Sequence, residues 1–197
     1  MKNKLLTKID VLKLVDGDLN IINKIKNENY TIKPSTFKKL IFIIIQNSTD
    51  ENRSEIIKLL INEISPLTIE QLSKTTNADV ETFLMAAIKK SDPQMVRTLL
   101  MCGINPNVNT SFGRHFALAE AVLYASDAKN GFENNIKIIK SLLIYGADPD
   151  MKISKNITIR NIDENNLKIL KLPQLSNFSN NNKIKTKEDD DAYNQIT

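Results

Sequence analysis

The sequence predicts an all-α fold, an array of about four stacked helical pairs followed by a disordered polar tail. Three observations predict it. An apolar pattern with helical spacing occurs four times along the chain. Residues that end helices follow most of its copies at one fixed position. Turn-forming residues are scarce, with 5 Gly and 6 Pro in 197 residues, whereas a β-sandwich or barrel needs many of them.

The repeated pattern has two adjacent apolar residues and then, four positions later, one or two more, which places them on one face of a helix. Its copies begin 35, 39 and 43 residues apart. A strand would require alternation with a period of two, which these segments lack. The copies are Ile21-Ile22 with Ile25, Ile56-Ile57 with Leu60-Ile61, Met95-Val96 with Leu99-Leu100, and Ile138-Ile139 with Leu142-Leu143.

The expected ends of these helices agree with the pattern. Gly, and after it Asn, readily adopts the left-handed conformation that ends a helix. The second copy has Ile64 at this position, which does not readily adopt that conformation, so we expect the second unit to end differently. At the front, Asp18 and Asp92 can cap a helix, and Pro93 follows at the first helical position, where its missing N–H costs nothing. The residues at the ending position of the four copies are Asn29, Ile64, Gly103 and Gly146.

A second apolar stretch precedes each of these helices, most clearly at residues 82–88 and 116–122. Alanine side chains in both stretches permit the close approach of a neighbouring helix. Each unit is therefore predicted to be an antiparallel helical pair, and the pairs must stack because one pair cannot cover its own apolar face. The run from Phe37 to Ile45 is rich in β-branched residues, so a buried strand is the alternative to a helix there.

Other segments depart from the regular pattern. Residues 67–79 are long for a loop and can hold a short extra helix. Residues 124–135 insert about nine residues between the two helices of the fourth unit. Residues 151–172, with a helix capped by Asp163, can form half a unit that caps the array. Residues 173–197 carry too few apolar side chains to offset the ordering of the chain, so we expect a disordered tail.

The third and fourth units resemble ankyrin repeats, each of which combines a β-turn with two helices in about 33 residues. Thr82, Leu84 and Ala87 resemble the opening signature of that family. Residues 103–107 (GINPN) and 146–150 (GADPD) resemble the ending of its repeats. Ahead of these units the resemblance depends mainly on periodicity and on the order of the elements.

The resemblance implies an ankyrin-repeat-like solenoid of stacked helix-turn-helix units. Phe83 and Met85 depart from the family, which has Pro and His at these positions, and Phe116 replaces its Thr in the fourth unit. The units are expected at approximately residues 5–33, 34–78, 79–111 and 112–150, with a C-terminal cap at 151–172.

Composition argues against several classes of function. A single Cys102 and a single His115 leave no residues for a disulfide framework, a multi-cysteine zinc site or most nucleophile–base pairs. We expect Cys102 to be a partly exposed thiol without a task. The longest apolar run, residues 40–45, is far shorter than the roughly 20 residues of a membrane span. The net charge of +4 is spread along the chain, so no specific nucleic-acid signature is present.

In ankyrin arrays the turns and the first helices line a concave face where partners usually bind, and the resemblance implies the same face here. Aromatic residues and Arg dominate interface energies, which favours Phe112 and Arg114, although Phe112 could instead be buried between neighbouring turns. The candidates carried over by position are Lys89, Lys90, Asn109, Thr110, Ser111, Phe112 and Arg114, and Phe132 of the inserted loop is a further candidate.

We therefore expect a monomeric, non-enzymatic protein that binds another protein, with no catalytic residue, cofactor or metal. A cytoplasmic location is expected because Asp10 and Lys13 interrupt the apolar segment that a signal peptide needs. The Asn-, Ile- and Lys-rich composition suggests an AT-rich genome. Ankyrin proteins of intracellular bacteria are often delivered into host cells, so the resemblance implies a host-directed effector. An antitoxin or immunity-type inhibitor of an enzyme in the same cell is the alternative. An enzyme with an unfamiliar site and a nucleic-acid binder are further hypotheses.

Overall fold

Helices account for most of the chain that the structure describes. A computed structural model describes residues 5–28, 30–47, 51–110, 116–126, 131–155, 157–161 and 169–171. The predicted helical class is confirmed. Within these ranges no helix has the length and apolar character needed to cross a lipid bilayer. The α-helices are α1 (Lys8–Val15), α2 (Asn20–Asn27), α3 (Pro34–Asn47), α4 (Arg53–Leu59), α5 (Ile69–Ser73), α6 (Phe83–Lys89), α7 (Pro93–Met101), α8 (Ala117–Ser126) and α9 (Phe132–Ile144).

The helices contact one another in two series that follow the order of the chain. The first helices of the pairs, α1, α3, α6 and α8, each contact the next in that order, and the second helices α4, α7 and α9 do the same. The two members of each pair are also in contact, beginning with α1 and α2. One cluster of buried apolar side chains runs through all four pairs. The core is therefore shared between neighbouring pairs.

Glycine ends two of the second helices, as predicted. Gly103, after α7, has φ +86°. Its N–H donates to the carbonyl of Leu100, and the N–H of Ile104 donates to the carbonyl of Leu99. Gly146, after α9, has φ +85° and begins the same arrangement. These bonds satisfy carbonyls that would otherwise lack a partner at the end of the helix.

The second pair ends differently, as the sequence predicted from Ile64. Helix α4 continues directly into a π-helical segment (Leu60–Ile64), and the chain leaves it through Ser65 at φ −56°, without a left-handed residue. The preceding helix α3 covers the run that is rich in β-branched residues, so a helix is right there and a buried strand is wrong. Asn29, the expected end of the first pair, lies outside the described residues.

Threonine side chains begin several of the helices. Thr7, Thr68 and Thr82 each accept a hydrogen bond from the N–H three residues further on, and the side chain of that residue accepts the threonine N–H in return. This reciprocal capping satisfies N–H groups that have no partner inside the helix. Thr68 begins α5, which confirms the short extra helix expected within residues 67–79.

Of the two aspartates predicted to cap helices, one does so and the other does not. Asp92 caps α7, because its Oδ1 accepts the N–H of Met95 at 3.0 Å. Asp18 is not the capping residue of α2, because that helix begins one residue later than expected, after Leu19. The Asp18 carboxylate instead accepts the N–H of Asn20, the first helical residue, at 3.0 Å.

The segment after α9 begins in the same way as another unit. Strands β1 (Lys152–Ser154) and β2 (Ile157–Thr158) pair in antiparallel fashion. The hydroxyl of Thr158 then accepts the N–H of Asn161 at 3.3 Å, and the side chain of Asn161 accepts the N–H of Thr158 at 3.0 Å. The same reciprocal cap therefore follows this hairpin.

Two apolar side chains join this segment to the shared core. Ile159 and Leu170 are each 1% exposed, and both belong to the cluster that runs through the four pairs. Of the helix expected over residues 163–172, only a short 3₁₀ turn (Ile169–Lys171) lies in the described range. The tail at residues 173–197 lies outside it.

Candidate functional site

The predicted partner-binding residues that the structure describes lie around α6 and at the start of α9. Lys89 and Lys90 are exposed at the C-terminal end of α6, and Asn109 is exposed in the turn after α7. Phe132 begins α9 and is 43% exposed. The remaining candidates lie outside the described residues, and they are Ser111, Phe112 and Arg114.

A depression of about 390 Å³ lies at the N-terminal end of α6 and contains Asn109; we call it the turn-end depression. Thr82, which caps α6, lines it together with Thr76, and these two residues form an antiparallel bridge. Six of its eight described lining residues carry a hydroxyl or a side-chain amide, and Lys74 is the one cation among those eight. The other lining residues are Asn105, Asn107, Val108 and Thr110.

Thr110 brings a buried hydroxyl group to the turn-end depression. It is 3% exposed, and its Oγ1 makes no hydrogen bond to any described residue. Buried hydroxyls in proteins normally have a partner, because removing them from water without one costs free energy. Residues 111–115 follow it directly and are not described. A partner for this hydroxyl would therefore come from those residues or from a bound molecule.

Side-chain hydrogen bonds join successive turns along this edge of the molecule. The hydroxyl of Ser73 accepts the N–H of Asn105 at 3.0 Å. One unit further on, Asn107 Oδ1 accepts the N–H of Asp148 at 2.8 Å, and the Asn107 amide donates to the carbonyl of Gly146 at 2.7 Å. The turn after α7 is thus held by α5, and the turn after α9 by the turn before it, so both are fixed without a partner.

A second depression, of about 360 Å³, lies at the opposite end of α6 and includes Lys90; we call it the loop-end depression. Arg53 Nη2 lies 2.6 Å from Asp92 Oδ2 in its wall. Because Asp92 also caps α7, this ion pair joins α4 to the start of α7. The remaining lining residues are Ile45, Gln46, Ser91, Pro93, Gln94 and Asn134.

The start of α9 lies beside the loop-end depression. The side-chain amide of Asn134 donates to the carbonyl of Ser91 at 3.2 Å, and Phe132 lies two residues before Asn134. The two depressions are separated by the length of α6, about 10 Å at 1.5 Å per residue. The structure therefore brings Lys90 and Phe132 to one end of α6 and Asn109 to the other.

Lys89 and Lys90 differ in their electrostatic surroundings. The ammonium group of Lys89 pairs with the carboxylate of Glu81, which is 9% exposed. Glu81 Oε2 also accepts the side-chain amide of Asn77 at 2.9 Å. These bonds tie the turn before α6 to the end of that helix. Lys90 forms no salt bridge with a described residue, so its charge is the one that a partner can use.

Cys102 is buried, and the partly exposed thiol expected from the sequence is wrong. Its residue exposure is 7%. The short helix α5 packs close to this end of α7, since a Cβ placed on Gly103 would meet Ile69 Cγ2 at 3.5 Å. Burial raises the pKa of the Cys102 thiol to about 11, so the thiol is protonated at neutral pH. His115 lies outside the described residues.

Sequence reasoning missed most of the residues that line the two depressions. The pair between Arg53 and Asp92 joins distant segments, so no local pattern could have shown it. Thr110 is an exception, because the resemblance placed it in the same turn as Asn109. It lies six residues before Phe116, and Thr76 lies six residues before Thr82, so alignment of the units would have placed Thr76 on the same edge as well. Within the described ranges, no three His, Cys, Asp or Glu side chains are grouped so that they could hold a metal ion.

No protein-family model, curated protein or solved structure matches this chain. The mostly helical fold therefore has no family assigned by comparison, and the resemblance to ankyrin repeats rests on the residues themselves.

Proposed function

We propose that this chain is an ankyrin-like solenoid that binds another protein through its turns and first helices, without catalysis, cofactor or metal. The observation that carries the proposal is the order of helix contacts. The first helices α1, α3, α6 and α8 contact one another in the order of the chain, and so do the second helices from α4 onward. Repeat proteins are built in this way, since each unit contacts mainly its neighbours. The matching helix ends at Gly103 and Gly146 support it as well.

The proposed binding surface runs from the turn-end depression along α6. Asn109 offers an exposed side-chain amide at one end, and the Lys90 ammonium lies at the other. The hydrogen bonds of Ser73 and Asn107 fix the turns in advance. A surface that is ordered beforehand loses little conformational entropy on association, which favours binding. We place this binding in the cytoplasm, of the producing cell or of a host cell.

Quantitative affinity capture with matched surface variants tests the proposal. Asn109→Arg changes the turn-end depression, and Lys90→Glu reverses the charge at the loop end. Lys137→Glu, on the exposed side of α9, is the matched control. We expect one protein to be captured by the wild type and the control and lost from at least one of the two surface variants. Calorimetry with that purified protein should then show the same ranking of affinities.

The result can also overturn the proposal. A captured protein that binds all three variants with wild-type affinity would place the interface elsewhere. The identity of the captured protein separates the two contexts, because an effector should capture a host protein, whereas an immunity-type inhibitor should capture an enzyme of its own cell.

A further inference from the structure

Helix α1 carries apolar side chains that face away from the rest of the molecule. Ile9 and Leu12 lie three residues apart, on one face of the helix, and are 66% and 52% exposed. Leu5, just before the helix, is 61% exposed. The opposite face holds Leu14, which is fully buried, and α1 contacts α2, α3 and α4. We call Leu5, Ile9 and Leu12 the α1 stripe.

Lysines border the α1 stripe, and the acidic residue inside the helix, Asp10, is buried on its other side and neutralised. Lys8 and Lys13 are exposed, and helical spacing places them on either side of Ile9 and Leu12. Asp10 is 3% exposed. Its carboxylate accepts the N–H of Thr7 at 2.9 Å and pairs with Lys24 Nζ at 3.0 Å. Lys8 and Lys13 therefore outnumber the one exposed acidic residue of this segment, Asp16, which follows the helix on the side of the stripe.

We propose that the α1 stripe docks this protein on the surface of an anionic lipid membrane. Exposed Leu and Ile side chains can enter the boundary between headgroups and acyl chains, while flanking lysines contact anionic headgroups. The protein would lie on the membrane without crossing it.

Charge favours a membrane over a second copy of this chain. Two α1 stripes packed against each other, in either orientation, would bring the lysines of one copy against the lysines of the other. Like charges at an interface oppose association. An anionic lipid surface instead attracts every one of these lysines, and it accepts a projecting stripe without needing a complementary groove.

Sedimentation with lipid vesicles tests the proposal on the full-length chain. We expect binding to vesicles of phosphatidylcholine with phosphatidylserine, and binding to phosphatidylcholine alone that is at least about fivefold weaker. Binding should decrease when the ionic strength is raised from about 0.1 M to about 0.5 M. Ile9→Ser/Leu12→Ser should weaken binding by about tenfold through loss of apolar insertion, and Lys8→Glu/Lys13→Glu should abolish the preference for phosphatidylserine.

Matched controls and a second measurement decide the outcome. Met101→Ser/Leu123→Ser removes two side chains that are 47% and 43% exposed elsewhere, and it should bind as the wild type does. Far-UV circular dichroism checks that each variant is folded. Vesicle binding that is absent, or equal in all variants, would overturn the proposal. A dimer in sedimentation velocity that Ile9→Ser/Leu12→Ser dissociates, without any vesicle binding, would assign the stripe to a second copy instead.

Discussion

The pairs α6–α7 and α8–α9 are more regular than the pairs α1–α2 and α3–α4. In the later pairs a left-handed glycine ends the second helix, and the turns after α7 and α9 are joined directly by the side chain of Asn107. In the earlier part, α3 is long, the second pair ends in a π-helical segment, and α5 is inserted before the next pair. The first helices nevertheless contact one another in the order of the chain in both regions.

The comparison shows that the backbone N–H at the same position of two units can find its hydrogen-bond acceptor in different structural elements. Asn105 and Asp148 occupy equivalent positions, each two residues after a glycine that ends a helix. The N–H of Asp148 finds its acceptor in Asn107, within the preceding turn, whereas the N–H of Asn105 finds its acceptor in Ser73, on the extra helix. Helix α5 therefore takes the place that a regular turn holds further along the chain.

The largest expected effect is the loss of stability when a core leucine is shortened in either region. Leu99 and Leu60 occupy equivalent positions of the repeated pattern, and both are fully buried. Leu99→Ala and Leu60→Ala should each reduce the free energy of unfolding by about 2–5 kcal/mol, through lost burial and a residual cavity. Chemical denaturation measures the two losses.

An exposed position serves as the control for this pair. Met101→Ala, at a residue that is 47% exposed, should change the free energy of unfolding by less than about 0.5 kcal/mol. If Leu60→Ala proved as harmless as this control, the π-helical segment would not be part of the shared core.

The next effect concerns the ends of the second helices. Gly103→Ala and Gly146→Ala should each cost about 1–2 kcal/mol, because an L side chain is disfavoured at positive φ. A Cβ would meet only ordinary contact at Gly103 and nothing within 4 Å at Gly146, so the two losses should be similar. Thermal denaturation of both variants checks this. Ile64→Gly should lower stability, because the second pair does not end through a left-handed residue; a gain would contradict that difference.

A smaller loss of stability is expected when the hydrogen bonds that hold the turns, those of Asn107 and Ser73, are removed. Asn107→Ala removes two hydrogen bonds between turns and should cost about 1–2 kcal/mol, whereas Ser73→Ala removes one and should cost about 0.5–1.5 kcal/mol. Asn109→Ala, at an exposed neighbour, is the control. Denaturation midpoints give the ranking, and equal midpoints for all three variants would show that these bonds do not hold the turns.

The last effect is a pH dependence at Asp10, in the earlier region. The N–H of Thr7, with its hydroxyl and the ammonium of Lys24, lowers the pKa of Asp10 from 3.8 to about 2, against the opposing effect of burial. Because the pKa is lowered in the folded state, the stabilisation is fully present above pH 3.8 and is lost as the pH falls towards 2. The melting temperatures of wild type and Asp10→Asn should therefore differ most at neutral pH and converge in acid. A difference that stays constant over this range would refute the assignment.

Much of the fold could be predicted from the sequence, because its signals are local. The spacing of residues such as Leu99 and Leu100, the helix-ending Gly103 and the cap at Asp92 each act within one or two helical turns. The pattern of units also predicted that Ile64 needs another way to end its helix, but not that a π-helical segment provides it.

The candidate site was harder to predict, because its geometry depends on contacts between distant segments. The resemblance grouped Lys89, Lys90 and Asn109 on one face, yet the length of α6 separates Lys90 from Asn109. The pairing of Lys89 with Glu81 and the burial of Cys102 depend on how neighbouring elements pack. Such packing cannot be deduced from the spacing of residues along the chain.

The hairpin and cap at residues 152–161 have a consequence for how such a chain can change in length during evolution. Thr158 and Asn161 repeat the helix start seen at Thr82, and Ile159 enters the common core. Duplication or deletion of one whole unit at this junction would renew the same contacts with a single neighbour and leave the earlier pairs undisturbed.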